Sequence, residues 1–138
     1  MGFLFLGKKT APPPQAATGT STRVRGQSAE DLALQHLRGA GLQLLERNYR
    51  TPGRGGGEID LIMRAPDATL VFVEVRSRAR PGFGGAAASI GAAKRRRILL
   101  AARHYLMRWG SAPPACRFDA VVIDGGQLQW IVAAFGED

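Results

Sequence analysis

The chain has one cysteine, Cys116, in 138 residues. That excludes a disulfide framework and any zinc site built on thiolates. Its two histidines, His36 and His104, stand far apart in the sequence. This argues against a histidine-built metal centre, and each reads as a surface or boundary residue. No run of about 18 apolar residues occurs, so no membrane-spanning helix is expected. Phe3-Leu4-Phe5-Leu6 is too short for a signal-peptide core, and its positive charges follow it instead of preceding it. The expectation is a cytoplasmic protein with no membrane partner. Acid is also scarce: 11 Asp and Glu face 19 Lys and Arg, for a net charge of +8 and a pI of about 11.0. A small basic domain suits a polyanionic partner, although a solubilising surface accounts for the charge as well. Lysine is the scarcer base, with three against sixteen arginines. Genomic base composition explains that imbalance as readily as function does.

What is present is a 45% hydrophobic composition, enough for one compact domain with its own core. Residues 1–25, with Pro12-Pro13-Pro14 and a run of Ala, Thr, Ser and Gly, read as a disordered basic tail. Residues 26–138 read as one domain. A helix is predicted from Gln27 or Ser28, because Ser28 with Asp31 makes a helix-start signature. Ala29, Leu32, Ala33, Leu37 and Ala40 form its apolar stripe, and Gly39 and Gly41 end it. Glu30 then stands in the first turn, where an acid favours the helix dipole. A first strand runs from Leu42 to Arg50. Thr51 to Gly57 is a glycine-rich mobile loop in which Arg54 is placed to meet a phosphate. After the central hairpin, a Gly- and Ala-rich loop over 77–88 carries Arg78 and Arg80. A long helix follows from Ser89 to about Trp109, with Ile98, Leu99, Ala102, Tyr105, Leu106 and Trp109 as its stripe. Lys94, Arg95, Arg96 and Arg97 oppose the dipole at its start, a cost that phosphate contacts to Lys94, Arg96 and Arg97 would offset. Phe118 to Ile123 is a buried strand, Asp124-Gly125-Gly126-Gln127 a tight turn, and Gln127 to Val132 the return strand, with Trp130 opposite Val121.

The stretch that organises the rest is Gly57-Glu58-Ile59-Asp60-Leu61-Ile62-Met63-Arg64, a break at Ala65 to Thr69, then Leu70 to Arg78. Both runs favour strands, and Pro66 and Asp67 turn the chain. With Asp67 at the tip, Arg64 faces Leu70, Ile62 faces Phe72, Asp60 faces Glu74 and Glu58 faces Arg76. One face then holds Ile59, Leu61, Met63, Val71, Val73 and Val75. The other holds Ile62 and Phe72 near the turn and the acids at the far end. Carboxylates about 5 Å apart repel by roughly 3 kcal/mol at an effective dielectric near 20. A proton, an arginine or a divalent cation would neutralise such a pair. Spacing alone leaves open a cross-strand salt-bridge cluster in which Arg76 answers Glu58.

The element order αβββαββ and a set of residues resemble the YraN-like bacterial proteins. The resemblance runs through Arg25-Gly26, Glu30, Ala33, Gly41, Arg47-Asn48-Tyr49-Arg50, Gly57 to Ile62 and Val71 to Arg78. Ile90, Lys94, Arg97-Ile98, Ala102, Tyr105-Leu106 and Arg117-Phe118-Asp119 extend it, so that it covers roughly residues 25 to 124. That family is similar to the restriction-endonuclease-like nucleases, with Holliday-junction resolvases nearest in pattern. The resemblance implies a mixed α/β sheet flanked by helices. It implies a divalent metal, Mg2+ or Mn2+, held by Asp60, Glu74 and Glu30, with the Val75 carbonyl adding to the shell. It also implies a partner that is nucleic acid, with structured or branched DNA as substrate. The departure is Arg76, where the nuclease pattern has lysine. Arginine cannot act as a base, so Arg76 is assigned charge stabilisation. Arg54, Arg78, Lys94, Arg96 and Arg97 are assigned to phosphates. The alternatives are an inactive nucleic-acid-binding module of the same fold and a protein-interaction scaffold. A junction-cutting enzyme would need a homodimer, with the last hairpin as its candidate surface.

Overall fold

A computed structural model describes residues 22–78 and 90–136. Helix α1 spans Thr22–Gly39, and strands β1, β2 and β3 span Gln43–Arg50, Glu58–Arg64 and Leu70–Arg78. Helix α2 spans Ala92–Leu106 and closes with a 3-10 turn over Met107–Trp109. Strands β4 (Cys116–Asp124) and β5 (Gln127–Phe135) complete the order αβββαββ. The strands form one sheet in the order β1-β2-β3-β4-β5. Every neighbouring pair is antiparallel except β3 and β4, which run parallel. A parallel pair needs a crossover, and α2 lies in it. The result is a mixed sheet between two helices, as expected for the fold class.

Each face has its own core. On one, Ala29, Ala33 and Leu37 of α1 cover Leu61, Met63, Val71, Val73 and Val121. On the other, Ile98, Ala101, Ala102 and Tyr105 of α2 cover Ile62, Phe72 and Phe118. Phe118 stacks between Phe72 and Phe135, with ring centroids 5.4 and 5.0 Å away. Small residues on both helices let the backbones approach the sheet, so the sheet's large side chains fill the space between.

The hairpin register follows the counting from the turn: Arg64 pairs with Leu70, Met63 with Val71, Ile62 with Phe72 and Leu61 with Val73. Trp130 lies opposite Val121. Several expectations are corrected. Helix α1 begins at Thr22, so Ser28 and Asp31 lie inside it and Glu30 is not in its first turn. The dipole account of Glu30 therefore fails, since that effect dies away within one turn. The last four residues of the expected tail, 22–25, are helical; the remainder lies outside the described residues, as do Ser89 and most of the 77–88 loop. The end of α1 is as read. Gly41, at φ 98°, donates to the Arg38 carbonyl and Leu42 to that of Leu37, a Schellman closure. Trp109 leaves the α2 stripe, because the 3-10 turn rotates it to the surface. Strand β5 extends three residues past Val132 to Phe135.

Ile59 is the most informative correction. It belongs to the α2-side core, whereas Leu61, two residues on, belongs to the α1-side core. A regular strand keeps residues i and i+2 on one face. Strand β2 therefore rotates about its own axis at Asp60, beyond the last residue paired with β3, Leu61.

Candidate functional site

Where β2 and β3 stop pairing, a side chain takes over from the ladder. Asp60 Oδ2 accepts a hydrogen bond of 2.8 Å from the Val75 N–H. The Asp60 and Glu74 carboxyl groups are hydrogen-bonded to each other. Both are buried, at 8% and 6% relative exposure. Beside Glu74 on β4 stands Ala120, whose small side chain leaves the carboxyl room.

Burial first, and then the charge of Asp60, pushes the Glu74 carboxyl up to about 8, against the opposing pull of Lys94. Burial also raises Asp60, with the Val75 N–H and the bond to Glu74 working against it. Glu30, on α1, is raised by its own burial and then by the charge of Asp60. The pair thus shares a proton at neutral pH when no cation is present. Such a site accepts a second positive charge readily, because the cation removes the repulsion that burial magnifies.

Lys94 enters from α2, with its Nζ 3.7 Å from Glu74 Oε2. Arg97, one turn on, donates to Glu58 Oε1 at 2.9 Å and to the Gly56 carbonyl at 3.4 Å. The expected Glu58–Arg76 ion pair is therefore replaced by Glu58–Arg97, because β2 and β3 have already parted at that level. Among the described residues Arg76 forms no ion pair, yet its charge reaches Glu74. Glu30 is held by Arg47 of β1, whose Nε lies 3.5 Å from Glu30 Oε1 while its Nη2 bonds Asp31 at 2.6 Å.

The acids implied for a metal are thus unequal. Asp60 and Glu74 converge, and Glu30 stands to one side in an ion pair. Among the described residues no three acidic, histidine or cysteine side chains cluster as a metal cage. Two converging buried carboxylates still fit a hard cation. Magnesium is commonly held by one or two carboxylates, keeps several waters and takes substrate phosphate oxygens. What Val75 offers within the protein is its N–H, to Asp60.

The basic residues sort differently from their sequence grouping. Lys94 and Arg97 face acids, whereas Arg96 lies exposed on α2. Arg54 is exposed in the β1–β2 loop, which is closed by Gly57 N–H to Thr51 Oγ1 at 2.6 Å and Thr51 N–H to the Gly57 carbonyl at 3.1 Å. Arg78 ends β3, and its side chain lies outside the described set.

Three contributions escaped the sequence reading. Lys94, assigned there to phosphates, pairs with Glu74, and the clue was that it is the one lysine after Lys9. Gly57 brings the loop against α2: a Cβ there would lie 2.5 Å from the Arg97 carbonyl oxygen and against the Ala101 amide. The glycine-rich spacing hinted at a close approach. Asp119 is wholly buried and accepts from Arg117 Nε at 3.0 Å, Trp130 Nε1 at 2.9 Å and Ala133 N–H at 2.9 Å. Nothing in its immediate sequence announces that role.

Residues 29–123 match the sequence profile of the uncharacterised protein family UPF0102. The chain belongs to the UPF0102 family. A UPF0102 protein of Paracidovorax citrulli (strain AAC00-1) is 69% identical over 131 residues, covering 95% of this chain and 96% of that one. One from Acidovorax sp. (strain JS42) is 64% identical over 131 residues, with the same coverage. One from Albidiferax ferrireducens is 63% identical over 124 residues, covering 90% of this chain and 95% of the relative. The UPF0102 profile spans both carboxylates, Lys94 and the whole of α2. Among the described residues of this UPF0102 protein, no helix is long and apolar enough to cross a membrane.

Proposed function

We propose that this UPF0102 protein binds nucleic acid and hydrolyses phosphodiester bonds in structured DNA, using a divalent cation held by Asp60 and Glu74. The observation that supports this reading is the buried Asp60–Glu74 pair at the parting of two strands, with a lysine at its rim. A purely structural pair of this kind has to hold a buried proton at neutral pH, whereas a divalent cation would neutralise both carboxylates.

A Mg2+ or Mn2+ ion there would supply Lewis acidity, polarising the phosphate and lowering the pKa of a water. The chain supplies the rest. Asp60 is fixed by the Val75 N–H. Glu74 would hold the cation as the ionised carboxylate, its proton passing to solvent. The Val75 carbonyl would add a third oxygen to the shell. Glu30, held by Arg47, is placed to act through water. Arg76 stays protonated and offers charge and hydrogen bonds, never a base. Exposed Arg96 and Arg54 hold flanking phosphates. No base-reading pattern is present, so shape and backbone decide recognition.

A second reading is a binding module of the same fold without turnover. It is favoured by Arg76 in the lysine position and by the ion pair that engages Glu30 with Arg47. One assay separates the two. Branched DNA, linear DNA and RNA are incubated with Mg2+ or Mn2+ and the wild-type protein, Asp60→Ala, Glu74→Ala or Arg76→Lys. Cleavage by wild type that both alanine variants lose supports the nuclease. Binding without cleavage, unaffected by Asp60→Ala, supports the module. If binding is absent and Lys94→Glu with Arg97→Glu changes nothing, a protein-interaction role remains. Light scattering on the same samples tests the homodimer that symmetrical cutting of two strands requires.

A further inference from the structure

We infer that Lys94, delivered by α2 and not by the strand, is the cationic residue that serves the carboxylate pair: it holds Glu74 in the metal-free protein and contacts the substrate phosphate once the pair holds a divalent cation. This rests on the nuclease reading and assigns the role that the nuclease pattern gives to the strand position of Arg76.

Three observations converge. First, among the described residues Lys94 forms the one ion pair made by either buried carboxylate, at 3.7 Å from Glu74. Its charge acts on Glu74 more strongly than that of Arg76 does, and it acts on Asp60 as well. Second, Lys94 is held in place. Arg97, three residues on, ties α2 to Glu58 and to the Gly56 carbonyl, and Gly57 lets the helix backbone close against the loop. The Lys94 side chain is only 31% exposed, against 49% for Arg97. Third, the sequence uses lysine here against its own habit. It has sixteen arginines and three lysines; Lys8 and Lys9 lie in the first ten residues, and Lys94 is the last.

Arginine would be a poor substitute at this spot. Its planar fork binds a carboxylate with two bonds at once and would clamp Glu74. An ammonium is a compact charge on a flexible stem with three donors, able to leave one oxygen and turn to another. With Glu74 holding a divalent cation, the Lys94 ammonium would be free to leave it. An ammonium released at the rim of the pair would hydrogen-bond a phosphate oxygen as it gathers negative charge, where such stabilisation is strongest.

The test uses the full chain as wild type, Lys94→Gln, Lys94→Arg and Arg76→Gln, with a thermal melt of each to establish folding. Mn2+ affinity is measured by calorimetry, and single-turnover cleavage of branched DNA is measured at saturating Mn2+. Removing the competing charge should tighten Mn2+ binding by Lys94→Gln about fivefold. Cleavage by that variant should fall about a hundredfold and by more than in Arg76→Gln. Lys94→Arg, which keeps a charge but clamps Glu74, should bind Mn2+ more weakly than wild type and lose less cleavage than Lys94→Gln. It carries the comparison should the glutamine variant not fold. Mn2+ affinity unchanged or weakened in Lys94→Gln overturns the inference, as does a greater cleavage loss in Arg76→Gln. Mn2+ binding by wild type with no cleavage of any substrate sinks the nuclease reading, and the calorimetry alone then decides the role of Lys94. No Mn2+ binding by any form overturns both.

Discussion

Glu74 holds its proton in the folded protein up to about pH 8, against an ordinary value of 4.5. Between those values the native state binds more protons than the unfolded chain, so stability falls as pH rises. The contribution is fully present below about 4.5 and is lost as pH passes through about 8. Glutamine at position 74 cannot lose a proton. The melting temperature of Glu74→Gln minus that of wild type, without divalent cation, should therefore grow between about pH 5 and pH 8. A flat difference would contradict the picture of a proton-sharing pair. Adding Mn2+ at pH 8 should raise the wild-type melting temperature and leave Glu74→Gln nearly unmoved, since only a ligand that binds the native state stabilises it.

A second residue-scale prediction concerns Asp119, which sits where the β4–β5 register shifts, between Phe118 and Ala120. The donors it satisfies include the N–H of Ala133, a residue at φ 55°. Alanine at 119 would strand a half-buried arginine, an indole N–H and a backbone N–H. Uncompensated buried groups of this kind cost about 3 kcal/mol or more. Chemical denaturation should show that loss with little change in slope. A loss below about 1 kcal/mol would mean that water reaches the site.

At the scale of elements, the site depends on how closely α2 lies against the β1–β2 loop. Gly57→Ala adds one methyl group at a backbone-to-backbone contact, where neither side can yield as a flexible side chain would. Overpacking of this kind costs about 1–3 kcal/mol, and here it also lifts the start of α2, and Lys94 with it, away from Glu74. Gly57→Ala should lower the melting temperature and weaken the proposed Mn2+-dependent activity together. Gly53→Ala, in the same loop with open space around its Cβ position but a φ of 92°, should lower stability and spare activity. Equal activity losses in the two would assign the effect to the loop and not to the helix contact. The hairpin was legible in the sequence at this scale because its turn fixes the count of residues. The twist at Asp60 was not, because period-two alternation assumes that a strand keeps its faces. Ile59 breaks that assumption when the chain exchanges ladder bonds for a carboxylate.

Over the whole molecule, a net charge of +8 predicts a steep salt dependence of the proposed nucleic-acid binding. Among the described residues Arg96 and Arg103 form no ion pair and lie seven residues apart on the exposed side of α2. Replacing both with alanine should reduce the slope of log affinity against log salt by about 1.8, from two lost phosphate contacts on duplex DNA. An unchanged slope would move the interface elsewhere. Arg97→Ala should reduce the slope less than either exposed arginine, since Glu58 already occupies its guanidinium. The string Lys94 to Arg97 reads as one basic patch, but a helix turns by 100° per residue. It sends two of the four charges inward to acids and leaves the others to solvent.

The sequence by itself determined the element order, the two-faced sheet, the hairpin register next to its turn and the family, because each follows from local periodicity, turn chemistry or residue pattern. It also brought Asp60 and Glu74 to the same level of adjacent strands. Only the tertiary structure decided which cation answers which acid. Lys94 and Glu74 are twenty residues apart, and Arg97 and Glu58 thirty-nine. Such pairs form because two elements pack at a particular height and angle, which the volumes of buried side chains and one missing Cβ set, and neither quantity is written in the spacing of charges along the chain.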